Sequence, residues 1–105
     1  MLDNETFVMR ATKIGGKRYP DDYTVWWRGL AIGRIMKSPG LPVHVDQWSW
    51  GCNVYGQPSL DGDSGQGTSL EDCMASFKIA WKRIRAGLTD ADVARAYEIQ
   101  RSGAT

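Results

Sequence analysis

The sequence predicts a single α+β domain, residues 1–105, in which an antiparallel sheet of three or four strands carries one amphipathic helix on one face and a second helix follows at the C-terminus. Two observations lead to this class. Between residues 68 and 87, apolar side chains recur at steps of three and four, bounded by a helix start signal and a glycine. The segments before this helix alternate in polarity or are rich in β-branched and aromatic residues. A length of 105 residues suits one domain.

Strand signals occur four times before the long helix. Each segment either alternates between apolar and polar residues or concentrates valine, threonine and aromatic side chains. The four segments are residues 7–14, 23–27, 30–37 and 47–55. The order of the strands within the sheet is left open.

Glycine and proline separate these strands. Gly15-Gly16 predicts a loop over residues 15–22, and Arg28-Gly29 predicts a tight turn, because glycine accepts positive φ angles. The segment 38–42, SPGLP, ends the third strand, since proline has no N–H to donate to a strand ladder.

The long helix is predicted over residues 69–86. Thr68 and Ser69 are both suitable N-caps, and Thr68 with Glu71 fits a capping box. Gly87 suits the C-cap. The helix therefore has a start and a stop that can be located from local sequence alone.

Two further segments flank the long helix. Residues 56–67, GQPSLDGDSGQG, are rich in glycine and acidic, and predict a long mobile loop. Thr89 is expected to begin a second helix that reaches about Ser102. Its apolar stripe is thin, so it needs a surface to lie on.

The five tryptophans of the chain are mostly assigned to the core. Strand alternation turns Trp27, Trp48 and Trp50 toward Phe77 and Trp81 of the long helix. The predicted core is Val25, Trp27, Ile35, Trp48, Trp50, Val54, Leu70, Met74, Phe77, Trp81 and Ile84. Trp26 is the exception, because it points to the opposite face from its neighbour. We expect it to be exposed beside Arg28 or Arg34, where it would mark a contact surface.

Charge is segregated along the chain although the net charge is only +1. Residues 10–37 hold seven Lys or Arg against two Asp, and residues 38–77 hold five acids and no Lys or Arg. Residues 78–88 then hold four Lys or Arg and no acid. Such blocks either form separate patches in the fold or neutralise one another.

The sequence also indicates in which cellular compartment the protein is expected. No segment approaches the roughly 18 apolar residues that a membrane span requires. The acidic N-terminus has no apolar stretch typical of a signal peptide, so we expect a cytoplasmic protein without a membrane partner. Cys52 and Cys73 are expected to be buried thiols rather than a disulfide or a metal pair, because no CxxC spacing accompanies them.

One short string suggests a nucleophile. Gly62-Asp63-Ser64-Gly65 matches the sequence around the serine of chymotrypsin-like proteases, and His44 and Asp46 are also present. That fold needs two β-barrels, about twice this chain, to assemble its triad. We therefore expect a turn at this string and no catalytic residue in the chain.

Two further strings suggest ligands. Residues 62–69 approximate a phosphate-binding loop before a helix, but Thr68 replaces the lysine and several carboxylates surround it. Asp61 and Asp63 resemble the start of a calcium loop, but Gln66 stands where the glycine of the sharp turn is needed. The sequence thus predicts no cofactor and no metal ion.

The order of several motifs carries a resemblance. These motifs are Gly33-Arg34-Ile35, Trp48-x-Trp50, a Gly-rich turn, Ser69-Leu70-Glu71-Asp72 and Phe77-x-x-Ala80-Trp81. Over residues 23–86 they resemble a family of short uncharacterised bacterial proteins with a G-R-I strand, a W-x-W strand and an S-x-E-E-A…F-x-x-A-W helix. The sheet followed by S-L-E-D and a helix also resembles HicB-like antitoxins, which implies a small partial RNase-H-type sheet with a helix. Neither resemblance transfers an activity or a site residue.

The function predicted from these observations is that of a small protein-interaction or regulatory module without a catalytic site. Its partner is an unidentified protein or a second copy of the chain, because a small sheet leaves strand edges to protect. The alternative is a nucleic-acid-binding protein that uses the basic strands, including Arg10, and the basic end of the long helix. The candidate contact residues are Trp26, Arg28, Arg34, Lys37, Lys78, Lys82 and Arg85.

Overall fold

The computed structural model describes residues 7–38, 40–42 and 44–103, without the side chains of residues 14, 18 and 19. It has the predicted α+β class, with an antiparallel sheet in the order β1-β2-β3-β4-β5 and two helices. The elements are β1 Phe7–Ile14, β2 Lys17–Trp27, β3 Leu30–Lys37, β4 Trp48–Cys52, β5 Ser64–Gly67, α1 Leu70–Ala86 and α2 Asp90–Arg101. The expectation of three or four strands is therefore corrected to five. The acidic N-terminus, residues 1–6, and Pro39 of the segment after the third strand lie outside the described residues.

The first three strands form a meander with two tight turns. Arg28 and Gly29 both have positive φ angles, 49° and 79°, which confirms the predicted turn. The loop expected over residues 15–22 is wrong, because only Gly15 and Gly16 turn and β2 begins at Lys17. β2 pairs with β3 only from Asp22 onward, so its first residues, Pro20 included, have a single neighbouring strand.

The fifth strand lies at the end of the segment expected to be a mobile loop. β5 pairs with β4, with Trp48 opposite Gly67 and Trp50 opposite Gly65. A β-carbon on Gly65 would come within 3.0 Å of Trp50 Nε1, and one on Gly67 within 2.8 Å of Cys73 Sγ. These glycines therefore let the strand approach bulky neighbours, a role that strand propensity does not reveal.

The capping interactions at the start of α1 lie one residue beyond the predicted Thr68–Glu71 capping box. Ser69 is the N-cap, and its hydroxyl accepts from the backbone N–H of Asp72 at 3.0 Å. The Asp72 carboxylate accepts from the Thr68 N–H at 2.9 Å, so Asp72 replaces Glu71 in the reciprocal bond. Gly87 caps the other end, as expected.

Helix α2 lies at the end of the sheet, beside the β2–β3 turn. Its N-cap Thr89 forms a capping box with Asp92. Gln100 accepts from the N–H of Ala31 at 2.9 Å and donates to the carbonyl of Gly29 at 2.9 Å. The thin apolar stripe is thus supplemented by hydrogen bonds to the turn.

The core lies between one face of the sheet and α1. Trp27 and Trp81 rings meet at 5.1 Å between centroids, and Trp50 and Phe77 meet at 6.3 Å. The buried apolar residues are Val25, Trp27, Leu30, Ile32, Ile35, Trp50, Cys52, Val54, Cys73, Phe77, Ala80, Trp81 and Ala96. Of the predicted core, Trp48, Leu70, Met74 and Ile84 are only partly buried against this cluster. Within the described part of the chain, no helix is long and apolar enough to cross a membrane.

Candidate functional site

The face of the sheet opposite α1 carries no helix among the described residues. Strand register places three rows of side chains there, and we call this surface the open face. It comprises Val8, Arg10, Thr12, Asp22, Thr24, Trp26, Ala31, Arg34, Met36, Ser49, Gly51, Ser64 and Gln66. Most of these side chains are polar or small, and Trp26 is the only aromatic one among them.

Trp26 stands between two shallow cavities of the open face. One, of about 350 Å³, is lined by Trp26 together with Val8, Arg10, Arg28 and Gly29. The other, of about 530 Å³, is lined by Trp26 and Arg10 with Ala11, Lys13 and Thr24. Trp26 is half-buried rather than fully exposed. Its indole Nε1 has no hydrogen-bond acceptor among the described residues.

Arg28 is the predicted contact residue that lies beside Trp26. It occupies the β2–β3 turn, where its carbonyl accepts from the Tyr97 hydroxyl at 2.5 Å. Its guanidinium stands 4.8 Å from the centroid of Trp27, and Arg85 stands 5.1 Å from the same ring. Cation–π contacts therefore fix both arginines near the sheet end.

Arg34 lies on the open face but one row away from Trp26, and it is engaged by Asp22. Two N–H groups of Arg34 contact the two carboxylate oxygens of Asp22, at 2.8 and 2.5 Å. Thr12 donates to the same carboxylate at 2.8 Å. The Arg34 guanidinium lowers the pKa of Asp22 by hydrogen bonding. Arg34 therefore brings little uncompensated charge to the open face.

The remaining predicted contact residues lie elsewhere. Lys37 ends β3 in register with Trp48, which places it on the side of the sheet that carries α1. Lys78 and Lys82 are exposed along α1. The structure therefore brings Trp26 together with Arg28 but not with Lys37, Lys78 or Lys82.

Two cations near Trp26 were not among the candidate contact residues. Arg10 lines both cavities, and Lys13 lines one of them. The sequence indicates Arg10 only as one residue of a basic strand. The sequence does not reveal the register of the strands. This register pairs Val8 with Trp26 and so places Arg10 in the row next to Trp26.

A third cavity, of about 410 Å³, continues the open face toward the 53–63 segment. Thr24 lines it and also lines the larger Trp26 cavity. Asp63 at its rim is 5% exposed and accepts from Arg83 Nη2 at 2.6 Å and from the Leu60 N–H at 2.8 Å. An acid of the middle charge block thus pairs with a base of the last.

The Asp63–Arg83 pair predicts a pH dependence of stability. Hydrogen bonding from Arg83 lowers the pKa of Asp63. The pKa of Asp63 in the folded protein is below its unfolded value of about 3.9, so the ionised carboxylate stabilises the fold fully above about pH 3.9. This stabilisation decreases below that pH and is lost as the pH falls through the folded pKa. Asp63→Asn is expected to cost about 1.5 kcal/mol at neutral pH. Urea denaturation at pH 7 and pH 3 measures both effects.

The exposed neighbour Asp61 supplies the matched control for this prediction. Asp61→Asn is expected to leave the free energy of unfolding within about 0.5 kcal/mol of the wild type at pH 7. The deficit of Asp63→Asn should shrink at pH 3, where the carboxyl is largely protonated in the unfolded chain and its ionisation in the fold stabilises the wild type less. A deficit of equal size at both pH values would contradict the assignment.

The two cysteines and His44 are side chains that could serve as nucleophiles or metal ligands. Cys52 is buried, and burial raises the pKa of its thiol to about 12. Burial also raises the pKa of the Cys73 thiol, and both cysteines are free thiols. His44 is exposed. In the described ranges, no three His, Cys, Asp or Glu side chains come together as a metal site.

Comparisons of the chain with protein-family models, with curated proteins and with solved structures gave no match.

Proposed function

We propose that the chain is a protein-interaction module that pairs with a second copy of itself through the outer edge of β1. The observation that carries the proposal is the character of this edge. β1 is eight residues long and, among the described residues, has β2 on one side only, whereas the opposite edge strand β5 has four residues. A long edge presents a row of N–H and C=O groups that a further strand can satisfy.

The apolar side chains of β1 support this proposal. Val8 is 45% exposed on the open face, and Met9 is 38% exposed on the other face. Helix α1 packs on β3, β4 and β5, so it leaves Met9 outside the core. Edge strands of monomeric proteins are usually protected by charges or proline, and neither occurs at these two positions.

A second copy is the partner that the charge pattern of β1 favours. Val8 and Met9 occupy the first half of the strand, and Arg10 and Lys13 the second. Antiparallel pairing about a two-fold axis near Val8 brings the apolar halves together and moves the cationic halves to opposite ends. The result is one continuous sheet of ten strands.

The proposal predicts the mass of the protein in solution. The wild type should scatter light as a species of twice 11.7 kDa. Met9→Lys should shift the mass to that of one chain, because it places like charges of the two copies close to the two-fold axis at the shared edge. Multi-angle light scattering after size exclusion, over a hundredfold range of concentration, measures the change.

Ile79→Lys is the control variant for this experiment. Ile79 is 73% exposed on α1, so the substitution adds the same charge away from β1. It should leave the dimer mass unchanged. A wild-type mass of 11.7 kDa at every concentration would refute the self-association.

The proposal describes a binding module and not an enzyme. The raised pKa of each thiol, about 12 for Cys52, favours the protonated form, which is a poor nucleophile. Ser64, of the protease-like string, lies at the start of β5 beside the ion-paired Asp63. The cytoplasmic location and both family resemblances stay predictions.

A further inference from the structure

The two cavities beside Trp26 carry uncompensated positive charge. Arg10 lines both, Arg28 rims one and Lys13 rims the other. No carboxylate among the described residues lines either cavity. The nearest described acid of the open face, Asp22, is held by Arg34 and Thr12. A ligand of complementary charge is therefore an anion.

An aromatic ring stands at the centre of these cations. The Trp26 indole borders both cavities, so it offers surface to a planar group entering from either side. The cavities measure about 350 and 530 Å³, within the range of pockets that hold small ligands or single bases. An aromatic side chain framed by arginine and lysine is the arrangement on which unpaired bases stack.

We infer that the open face around Trp26 binds single-stranded nucleic acid, with one base stacked on the Trp26 indole and the adjoining phosphates on Arg10 and Lys13. This inference goes beyond the proposed self-association and does not depend on it. The site lies on the face of the sheet, whereas self-association uses the edge of β1.

The surroundings of Trp26 favour a single strand over other partners. A duplex keeps the faces of its bases stacked inside, so it offers no base to the indole. Protein–protein interfaces are depleted of lysine and serine, whereas Lys13 lies beside Trp26 and the adjoining rows carry Ser49 and Ser64. The cavity of about 410 Å³ on the other side of Thr24 provides room for the strand to continue.

The inference is tested by fluorescence anisotropy with a labelled mixed-sequence 12-mer, as RNA and as DNA, titrated at several salt concentrations. The wild type should bind the single strand in a salt-dependent manner. Trp26→Leu should weaken binding by roughly tenfold or more, and Trp26→Phe should restore most of it. Arg10→Ala should reduce the salt slope by about 0.7, the value for one phosphate contact on a single strand.

Lys78→Ala is the matched control, since it removes one exposed cation from α1 and none from the open face. It should change the affinity by less than about twofold. Circular dichroism confirms that each variant is folded, and Arg10→Ala, at an exposed position, tests the site even where Trp26→Leu disturbs the sheet.

The inference would be overturned by absence of binding at low salt, by tighter binding of a duplex of the same sequence, by equal competition from heparin, or by retention of full affinity in Trp26→Leu. Loss of binding in Lys78→Ala alone would move the site to α1 and would also refute it. Self-association is measured by mass and not by anisotropy, so the failure of one proposal is distinguishable from the failure of the other.

Discussion

Replacing Gly33 by alanine is expected to destabilise the protein by about 3 kcal/mol or more, at the upper end of the range for overpacking. Gly33 lies on the core face of β3, opposite Val25 and Cys52. A β-carbon there would overlap the carbonyl oxygen of Gly51 and the ring of Phe77, with the Phe77 Cζ at 2.8 Å. Backbone and a buried ring cannot both give way, so β3 and β4 would have to separate.

Urea denaturation of Gly33→Ala against Gly51→Ala measures this effect. Gly51 lies on the neighbouring strand but on the open face, where a β-carbon would meet only Ser64 Cβ at 3.9 Å. Gly51→Ala is expected to change the free energy of unfolding by less than about 1 kcal/mol. Similar stabilities for the two variants would show that α1 does not press on β3 as described.

Trp81→Ala is expected to cost about 3–5 kcal/mol, a large part of the stability of a domain of this size. Trp81 is 1% exposed and packs on Trp27, so the truncation leaves a cavity between the sheet and α1. Thermal and urea unfolding followed by circular dichroism measure the loss.

Trp81→Phe is the control for this substitution. The Trp81 Nε1 is buried without a hydrogen-bond acceptor among the described residues, so losing the indole N–H removes no described bond. The phenylalanine variant should therefore retain much more of the stability than the alanine variant. An unfolding curve for Trp81→Ala that coincides with that of the wild type would refute the shared core.

Strands and helices with strong local signals were predictable. The bounds of β1 and β3 match the alternating segments, and the two helices lie where caps and apolar periodicity place them. The predicted second strand, residues 23–27, is too short, because Gly15-Gly16 suggests a loop over residues 15–22. Pairing with β1 extends the strand back to Lys17. β5, with the sequence SGQG, carries no strand signal and exists because it pairs with β4.

The residues of the candidate site were likewise predictable only in part. The alternation of residues 23–27 placed Trp26 on the face away from the core, and the described structure confirms that placement. Its cationic neighbours depended on pairing between strands, so the sequence selected Arg34, which Asp22 engages, and left out Arg10 and Lys13.

The amino-acid sequence by itself determined the fold class, both helices and the turn at Arg28-Gly29, because periodicity, caps and glycine φ preferences act over a few residues. Only the tertiary structure decided the fifth strand, the position of β1 at the edge of the described sheet and the set of charges around Trp26. Each of these depends on the register of hydrogen-bonded strands and on ion pairs between residues 10 to 20 positions apart, such as Asp22–Arg34 and Asp63–Arg83. Contacts of that separation follow from how the whole chain packs, which no local pattern contains.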